Sequence, residues 1–401
     1  MPHIRSLPPV LAAALVLVAL GCRDDTTSPT VPESTPALAT ASSQPLAFRQ
    51  VSAGAYHSCG VTTDNRAYCW GEPDFGALGD GTTSPFTRTR PVAVAGGLQF
   101  LSVSAGASYA CGLTTDRRAY CWGKNVDGEL GDGTTTSRTA PVAVAGGRQF
   151  RQLRASYRHT CGVTTSDVAF CWGRNAGGEL GDGTTTRRLR PVRVAGGLNF
   201  SHVRAGGLHT CGLTTGARVY CWGSNDFGQL GDGTTTTRLK PVAALGGLSF
   251  RQVTSGAAST CGVTAGARAY CWGRNQYGEL GDGTTTQRLR PRAVVAAGLQ
   301  FDNLTMGVFH TCGVTTGDRA YCWGWNFYGQ LGDGTNTNRL TPVAVTTGLR
   351  FGAVSAGVVG SHNCAVTASE VAYCWGRNSS GNLGDGTNID RRTPVAVAAP
   401  M

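Results

Sequence analysis

Along most of this chain, short runs in which apolar and polar residues alternate are closed by clusters of glycine, threonine, asparagine or aspartate. Alternation punctuated by turn signals about every 8–12 residues marks half-buried strands, and no stretch keeps the 3.6-residue period of a helix. The clearest run is Cys59-Gly60-Val61-Thr62-Thr63-Asp64-Asn65-Arg66-Ala67-Tyr68-Cys69-Trp70-Gly71, which returns six more times. Its cysteines fall in pairs: Cys59 and Cys69, Cys111 and Cys121, Cys161 and Cys171, Cys211 and Cys221, Cys261 and Cys271, Cys312 and Cys322, Cys364 and Cys374. The spacing is always ten, with Trp after each second Cys. Successive units are 50 to 52 residues apart. A fixed period in that range means stacked or circularly arranged units.

Each unit reads as a hairpin. Val61 and Thr62 lead into a turn and Ala67, Tyr68 and Trp70 lead out, with the β-branched and aromatic residues that suit a pleated surface. A three-residue loop centred on Asp64, closed by Thr62 and Arg66, puts Cys59 opposite Cys69 at a non-hydrogen-bonded position, where side chains come closest. Alternation then places Gly60, Thr62, Tyr68 and Trp70 on one face and Cys59, Val61, Ala67 and Cys69 on the other. One face is bulky and the other small, as packing of neighbouring sheets requires.

Four strands are expected per unit; in the first they are 48–53, 57–62, 66–71 and 91–94. Gly numbers 58, which fits a turn-rich all-β chain. Seven four-stranded antiparallel sheets set radially make a seven-bladed β-propeller, an architecture that protects sheet edges by repetition. The expected organisation is a signal peptide over 1–21, a linker over 22–45 and the propeller over 46–401.

The start of the chain carries a short basic region and the apolar run 10–20, too short for a membrane-spanning helix but suited to a secretory signal. Ala19-Leu20-Gly21-Cys22 resembles the lipobox of bacterial lipoproteins, which implies a lipidated Cys22; a plain cleaved signal is the alternative. Cys totals 15, so setting Cys22 aside leaves seven pairs in a compartment where disulfides persist. The Ser-, Thr- and Pro-rich stretch 23–45 has no apolar periodicity and reads as a tether. The expected location is therefore the cell envelope, with contact to a membrane through the lipid alone.

The unit Ala53-Gly54-x-x-His57-Ser58-Cys59-Gly60-Val61-Thr62, then Tyr68-Cys69-Trp70-Gly71, then Gly-Glu-Leu-Gly-Asp-Gly-Thr and Pro-Val, resembles the regulator of chromosome condensation repeat. The resemblance covers all seven units, over about 46–398, and implies a seven-bladed propeller. The cysteine pairs depart from the family pattern, as do Tyr109 and Ser259 at the position of the repeated His. Family members include a nucleotide exchange factor for a nuclear GTPase, secreted bacterial inhibitors of β-lactamases and plant ultraviolet-B photoreceptors. Fold alone does not choose among them.

Seven internal copies separate scaffold from function: a residue present in every unit is read as scaffold, and function is sought where units differ. The repeated Asp of Gly-Asp-Gly-Thr is followed six residues later, eight in the first unit, by a repeated Arg, as in Asp132 and Arg138. An ion pair pinning the loop explains both better than a calcium site built from Asn125, Asp127, Glu129 and Asp132, whose spacing fits no known calcium loop. The seven repeated Trp read as packing between blades. His57, His159, His209, His310 and His362 read as strand-entry hydrogen-bonding groups rather than a metal or catalytic site. No catalytic, metal or cofactor-binding residues are assigned, and the chain reads as a non-enzyme.

Net charge is +11, almost wholly from Arg, with clusters at Arg187, Arg188, Arg190 and Arg193 and at Arg288, Arg290 and Arg292. Such a rim suits an anionic surface; nucleic acid is disfavoured, because no stacking aromatics interleave with the Arg. The loops after the first and third strands leave the same end of an antiparallel blade. They hold the variable Tyr56, Tyr109, Arg158, Leu208 and Phe309, and Lys124, Arg174, Arg274, Trp325, Phe327 and Arg377. Aromatics with Arg compose protein-binding hot spots. Phe75, Phe227, Tyr277 and Tyr328 read as part of the repeat. The expected function is binding of a protein or glycan partner at the envelope by a monomer, with a GTPase exchange factor as the alternative.

Closing an 11-residue loop stabilises a hairpin by roughly 2.5–3 kcal/mol. Mass spectrometry of the unreduced, denatured protein is expected to find peptides linked only as 59/69, 111/121 and so on; free thiols throughout, or links between units, would contradict this reading. The double substitution Cys211→Ala with Cys221→Ala is expected to lower stability by roughly 2–4 kcal/mol and leave the fold standing.

Overall fold

The computed structural model describes residues 45–400; the expected signal peptide, Cys22 and nearly all of the linker lie outside them. Each repeat forms one blade of four antiparallel strands in sequential order, and seven blades make the ring. In blade 1 the strands are Phe48–Ala53, His57–Thr62, Ala67–Gly71 and Arg88–Ala93. The fourth begins three residues before the expected position, because Gly71 pairs with Arg88 across a bulge that the alternation does not reveal. Blades 2 to 7 span 100–143, 150–193, 200–243, 250–293, 301–344 and 351–396.

The hairpin at the centre of each blade has the expected register, with Cys59 opposite Cys69 and Thr62 donating its N–H to Arg66 O at 2.9 Å. The return bond differs from a closing ladder pair. The Arg66 N–H goes to the Thr62 hydroxyl at 3.1 Å, and Asn65, with φ 68°, turns the chain in the left-handed region. The backbone oxygen of Asn65 is thereby free to accept the N–H of Phe100 at 2.8 Å, so the turn also ties blade 1 to blade 2.

Every expected cysteine pair is bridged within its own hairpin. Cys59 joins Cys69, Cys111 joins Cys121, Cys161 joins Cys171 and Cys211 joins Cys221. Cys261 joins Cys271, Cys312 joins Cys322 and Cys364 joins Cys374. Their Cα atoms are 4.0–4.1 Å apart, because the two residues of each pair face each other directly across the hairpin.

Two unlike faces meet at every seam. Cys59, Val61, Ala67 and Cys69 of blade 1 pack against Phe100, Val103 and Trp122 of blade 2, and the same set recurs around the ring. All seven Trp of the repeat are 0% exposed. Each leans on a Phe from the first strand of its own blade, with ring centroids 5.7–6.1 Å apart. The glycine after the first Cys makes room for that Phe: a Cβ at Gly162 would stand 2.7 Å from the Phe150 ring. Blade 7 has Ala365 there instead, and its Phe351 lies at 31° to Trp375 where the other six pairs stand at 53–59°.

Polar groups complete the seam. Trp172 Nε1 and Thr160 Oγ1 both donate to the backbone oxygen of Glu129 in the preceding blade, at 2.8 and 2.9 Å. Trp222 and Thr210 do the same to Glu179, and Trp272 and Thr260 to Gln229. Since the hydroxyl hydrogen of Thr210 is committed to that oxygen, its contact with His159 Nε2 at 2.8 Å requires the imidazole to donate. His159, His209, His310 and His362 are thus fixed as the Nε2–H tautomer and link to the next blade, beyond the strand-entry role expected. Burial holds these rings neutral, lowering His209 to about 3 and His310 to about 4.

The ring closes by the same contacts. Trp70 and Ser58 of blade 1 donate to Asn382 O of blade 7 at 3.0 and 2.9 Å, and His362 Nε2 meets the Ser58 hydroxyl at 2.8 Å. Repeats and blades coincide, and among the described residues neither end of the ring lends a strand to the other.

The seam between blades 1 and 2 lacks a hydroxyl. Blade 2 has Ala110 where Thr160 and Thr210 stand, so Ala77 O accepts only Trp122, and the buried His57 Nε2 has no partner among the described residues. Ala110→Ser supplies the missing hydroxyl and is expected to raise stability by about 1 kcal/mol in chemical denaturation, whereas Thr210→Ala is expected to lose roughly 1–3 kcal/mol. An unchanged midpoint for Ala110→Ser would show that the hydroxyl does not bridge the seam.

Candidate functional site

The loops after the first and third strands of every blade leave at one end of the ring. The longer, third-to-fourth loop is held from within. In blade 2 the buried Asn125 donates Nδ2 to Asp132 Oδ1 at 3.2 Å and to the carbonyls of Thr134 and Thr136, while its Oδ1 accepts the Leu130 N–H at 3.0 Å. Asp132 accepts from Thr134 and pairs with Arg138 at 3.1 Å. Of the oxygens weighed as calcium ligands, those of Asn125 and Asp132 are thus bonded to donors of the loop itself, and the Asp–Arg pair recurs in all seven blades. Burial alone would raise Asp182; the Thr184 and Arg188 donors hold it below the ordinary carboxylate value. Blade 1 is loosest, at 3.9 Å, because Pro73 stands in place of the Asn and its Asp and Arg lie eight residues apart instead of six.

On this scaffold the variable side chains form a belt across blades 4 to 7 and onto blade 1. Trp325 is its hub. Its ring centroid lies 5.9 Å from Tyr277, 5.5 Å from Phe309 and 5.4 Å from Tyr328, and it stacks on Phe327 at 6.1 Å and 11°. On one side Arg274 sits 4.1 Å from the Phe309 centroid and 5.9 Å from Phe227. On the other, Arg377 sits 5.1 Å from Tyr328 and 5.9 Å from Tyr56. Phe327, 64% exposed, stands out furthest, and Tyr56 and Phe227 are also exposed. Stacked aromatics capped by guanidinium groups form a rigid, partly desolvated surface.

The structure brings six of the expected residues together here: Tyr56, Arg274, Phe309, Trp325, Phe327 and Arg377. Lys124, Arg158, Arg174 and Leu208 lie outside the belt, on blades 2 to 4. Lys124 covers the Phe75 ring at 5.2 Å, Arg158 pairs with Asp127 at 3.4 Å, and Arg174 pairs with Glu179 at 3.1 Å. Tyr109 is a correction. It occupies the His position itself, one residue beyond the variable loop site, and is 1% exposed, donating its hydroxyl to His159 O at 2.7 Å. It belongs to the seam between blades 2 and 3.

Phe227, Tyr277 and Tyr328, which the repeat alone marks as scaffold, are part of the belt. The aromatic of one loop leans on the residue two after the repeated Trp in the next blade: Phe75 on Lys124, Phe227 on Arg274, Tyr277 on Trp325, Tyr328 on Arg377. Where the first partner is small or polar the second matches it, as with Ser380 and Glu72, whose side chains bond at 3.2 Å. That covariation between adjacent repeats is the signal the sequence holds for them.

Arg274 also serves the scaffold, bonding Glu279 Oε1 at 3.0 Å and Val308 O at 2.7 Å. In blade 2 the equivalent Lys124 turns to Phe75, so Glu129 Oε1 is buried without a partner among the described residues. Burial outweighs the two backbone amides that favour its charge and pushes Glu129 up to about 7.

Seven four-stranded blades, each from one repeat, define a seven-bladed β-propeller whose distinctive surface is an aromatic and arginine belt at one end. The chain belongs to the RCC1-like domain family, matching it over residues 87–401, and residues 48–77 match the regulator of chromosome condensation (RCC1) repeat. It is similar to the ultraviolet-B receptor UVR8 of Arabidopsis thaliana, 36% identical over 90 residues, a match covering 22% of this chain and 20% of that protein. Among solved structures it is similar to human WBSCR16, with 22% identity, a TM-score of 0.74 and coverage of 83% of this chain and 94% of that one. It is also similar to Prp20p of Saccharomyces cerevisiae, reported with its binding to Gsp1p and histones, with 19% identity, a TM-score of 0.74 and coverage of 86% and 87%.

Glu129 yields a pH prediction. Its folded pKa exceeds the unfolded one, so its contribution is fully present below about pH 4.5 and is lost as pH rises through about 7. Glu129→Gln, which copies Gln229 and Gln330 of blades 4 and 6, is expected to match wild type at pH 4 and exceed it by up to about 3 kcal/mol at pH 8. A stability difference that does not vary with pH would refute the assignment.

Proposed function

We propose that this chain is a non-enzymatic binding propeller that recognises a protein partner through the belt centred on Trp325, exported and tethered to the cell envelope through Cys22. The observation that carries the reading is the contact of Trp325 with four aromatic rings of blades 5 and 6, with an arginine on either side. Buried aromatic and arginine anchors dominate protein interfaces, and here they are ordered before any partner arrives. Four rings crowd Trp325, with Phe327 parallel to it at 6.1 Å, which favours a shaped protein surface over a glycan needing an open ring to stack on. The export reading rests on the apolar run 10–20, the sequence Ala19-Leu20-Gly21-Cys22 and seven disulfides that leave Cys22 over.

The alternative is an exchange factor for a small GTPase, by analogy with Prp20p and its binding to Gsp1p. Units of 50 to 52 residues leave no long inserted loop for such chemistry, and an exported chain does not meet cytosolic GTPases. Release of labelled nucleotide from purified GTPases by the propeller would establish the alternative and displace our reading.

Pull-down from envelope extract with wild type and with the double variant Trp325→Ala, Phe327→Ala is the deciding comparison. Loss of an anchor worth about 2 kcal/mol lowers affinity about 30-fold, so the variant is expected to lose the protein that wild type retains. Equal recovery of all partners by both would remove the belt from consideration, and retention only of glycan would move the partner class.

A further inference from the structure

The first strands of the seven blades line a central cavity of about 600 Å³. At the level where each first strand pairs with the first Cys of the hairpin, five blades carry Ser or Thr and two adjacent ones carry Arg154 and Arg204. Four of the five hydroxyls accept a backbone N–H of the next blade, at 3.0–3.1 Å, and so serve the ring. Arginine has no acceptor, so blades 3 and 4 forgo that bond and bring two charges into the cavity instead.

Among the described residues neither guanidinium has a carboxylate partner. Arg154 donates to Leu153 O of its own strand at 3.0 Å, and Arg204 to Val253 O at 3.3 Å. The one carboxylate lining the cavity among the described residues is Asp318, in the hairpin turn of blade 6, with Arg49 and Arg350 lining the cavity as well. Burial lowers Arg154 to about 10. In blade 5, next to Arg204, Ser255 lines the same cavity, and its hydroxyl is buried without a partner among the described residues. Five other blades have Ala at that position and blade 6 has Met306, so the hydroxyl has no role in the repeat.

We propose that this cavity is a binding site for a small molecule carrying an oxyanion, held between Arg154 and Arg204 with the Ser255 hydroxyl as a third donor. Planar guanidinium groups bind phosphate and carboxylate oxygens in pairs, and an oxyanion supplies the anionic partner that both arginines lack and an acceptor for the Ser255 hydroxyl. The volume matches that of small-molecule pockets rather than of a single trapped ion. The site is independent of the belt.

The test is calorimetric titration of the purified propeller with inorganic phosphate and, separately, with acetate, at constant ionic strength in chloride. Wild type is expected to bind at least one probe saturably, and the probe preferred tells a phosphoryl from a carboxylate ligand. Arg154→Gln and Arg204→Gln are each expected to weaken that binding at least tenfold and Ser255→Ala severalfold, while Arg193→Gln on the outer rim of blade 3 leaves it unchanged. Without oxyanion, the double variant Arg154→Gln, Arg204→Gln is expected to melt at or above the wild-type temperature, since it sheds two unpaired charges; this shows that the variant folds. Absence of saturable binding of both probes to wild type, or equal affinity in the arginine variants, would overturn the proposal.

Discussion

One backbone oxygen in each blade sets the terms on which the ring is built. It belongs to the residue before the repeated Leu of the third-to-fourth loop, as in Glu129, Glu179, Gln229, Glu279 and Gln330. In the seams that follow the first four of these it accepts both the indole N–H and the threonine hydroxyl of the next blade. A buried Trp needs both a partner for its N–H and an apolar slot for its ring. The oxygen supplies the first and the disulfide face of the preceding hairpin supplies the second. If the oxygen moves, two buried donors lose their acceptor, at roughly 1–3 kcal/mol each. The Asn and Asp that pin the loop are therefore seam residues as much as loop residues, although they never touch the neighbouring Trp. The same loop faces outward two residues earlier, where Tyr277 and Phe227 stand, so holding the scaffold also orders the belt.

Strand positions and the seven cysteine pairs are legible because the repeat restates them and alternation needs no tertiary knowledge. What the sequence hides is whatever depends on adjacency between blades. The start of the fourth strand at Arg88 follows from a pairing across a bulge, and the tautomer of His159 follows from what Thr210 does with its own hydrogen. Tyr109 stands one position from the loop site, and that single step moves a side chain from the rim into the seam. Tyr277 and Tyr328 read as scaffold because aromatics recur at that position. Recurrence identifies a shared backbone setting, but exposure depends on the neighbour in the next blade, and that neighbour varies.

Stability in such a ring is close to a sum of blades and nearest-neighbour seams, so its weakest point is local. The closing seam between blades 7 and 1 would be the natural suspect, since no described strand crosses it. Yet it has a complete set of contacts, from Trp70 and Ser58 to Asn382 O and from His362 to the Ser58 hydroxyl. The deficit lies between blades 1 and 2, where Ala110 removes the hydroxyl, and blade 1 also lacks the Asn and has the longest Asp–Arg distance. The first departure lies in the second repeat and the others in the first, so all of them loosen the surroundings of blade 1.

Departures from a repeat rule fall into two kinds, and the distinction bears on function. Ala110 subtracts a bond and adds nothing, as expected of drift in a ring whose stability is shared among seven seams. Arg154, Arg204 and Ser255 subtract structural bonds or add an unpartnered hydroxyl, and all three converge on one cavity in adjacent blades. The belt shows the same convergence on the rim, where blades 5 and 6 place Trp325, Phe309 and Phe327 around Tyr277 and Tyr328. Local rules broken at a cost to stability, together and in space, are where natural sequences carry binding rather than fold. Scattered exceptions around a seven-fold ring would not meet; these do, at two places that the symmetry of the scaffold does not require.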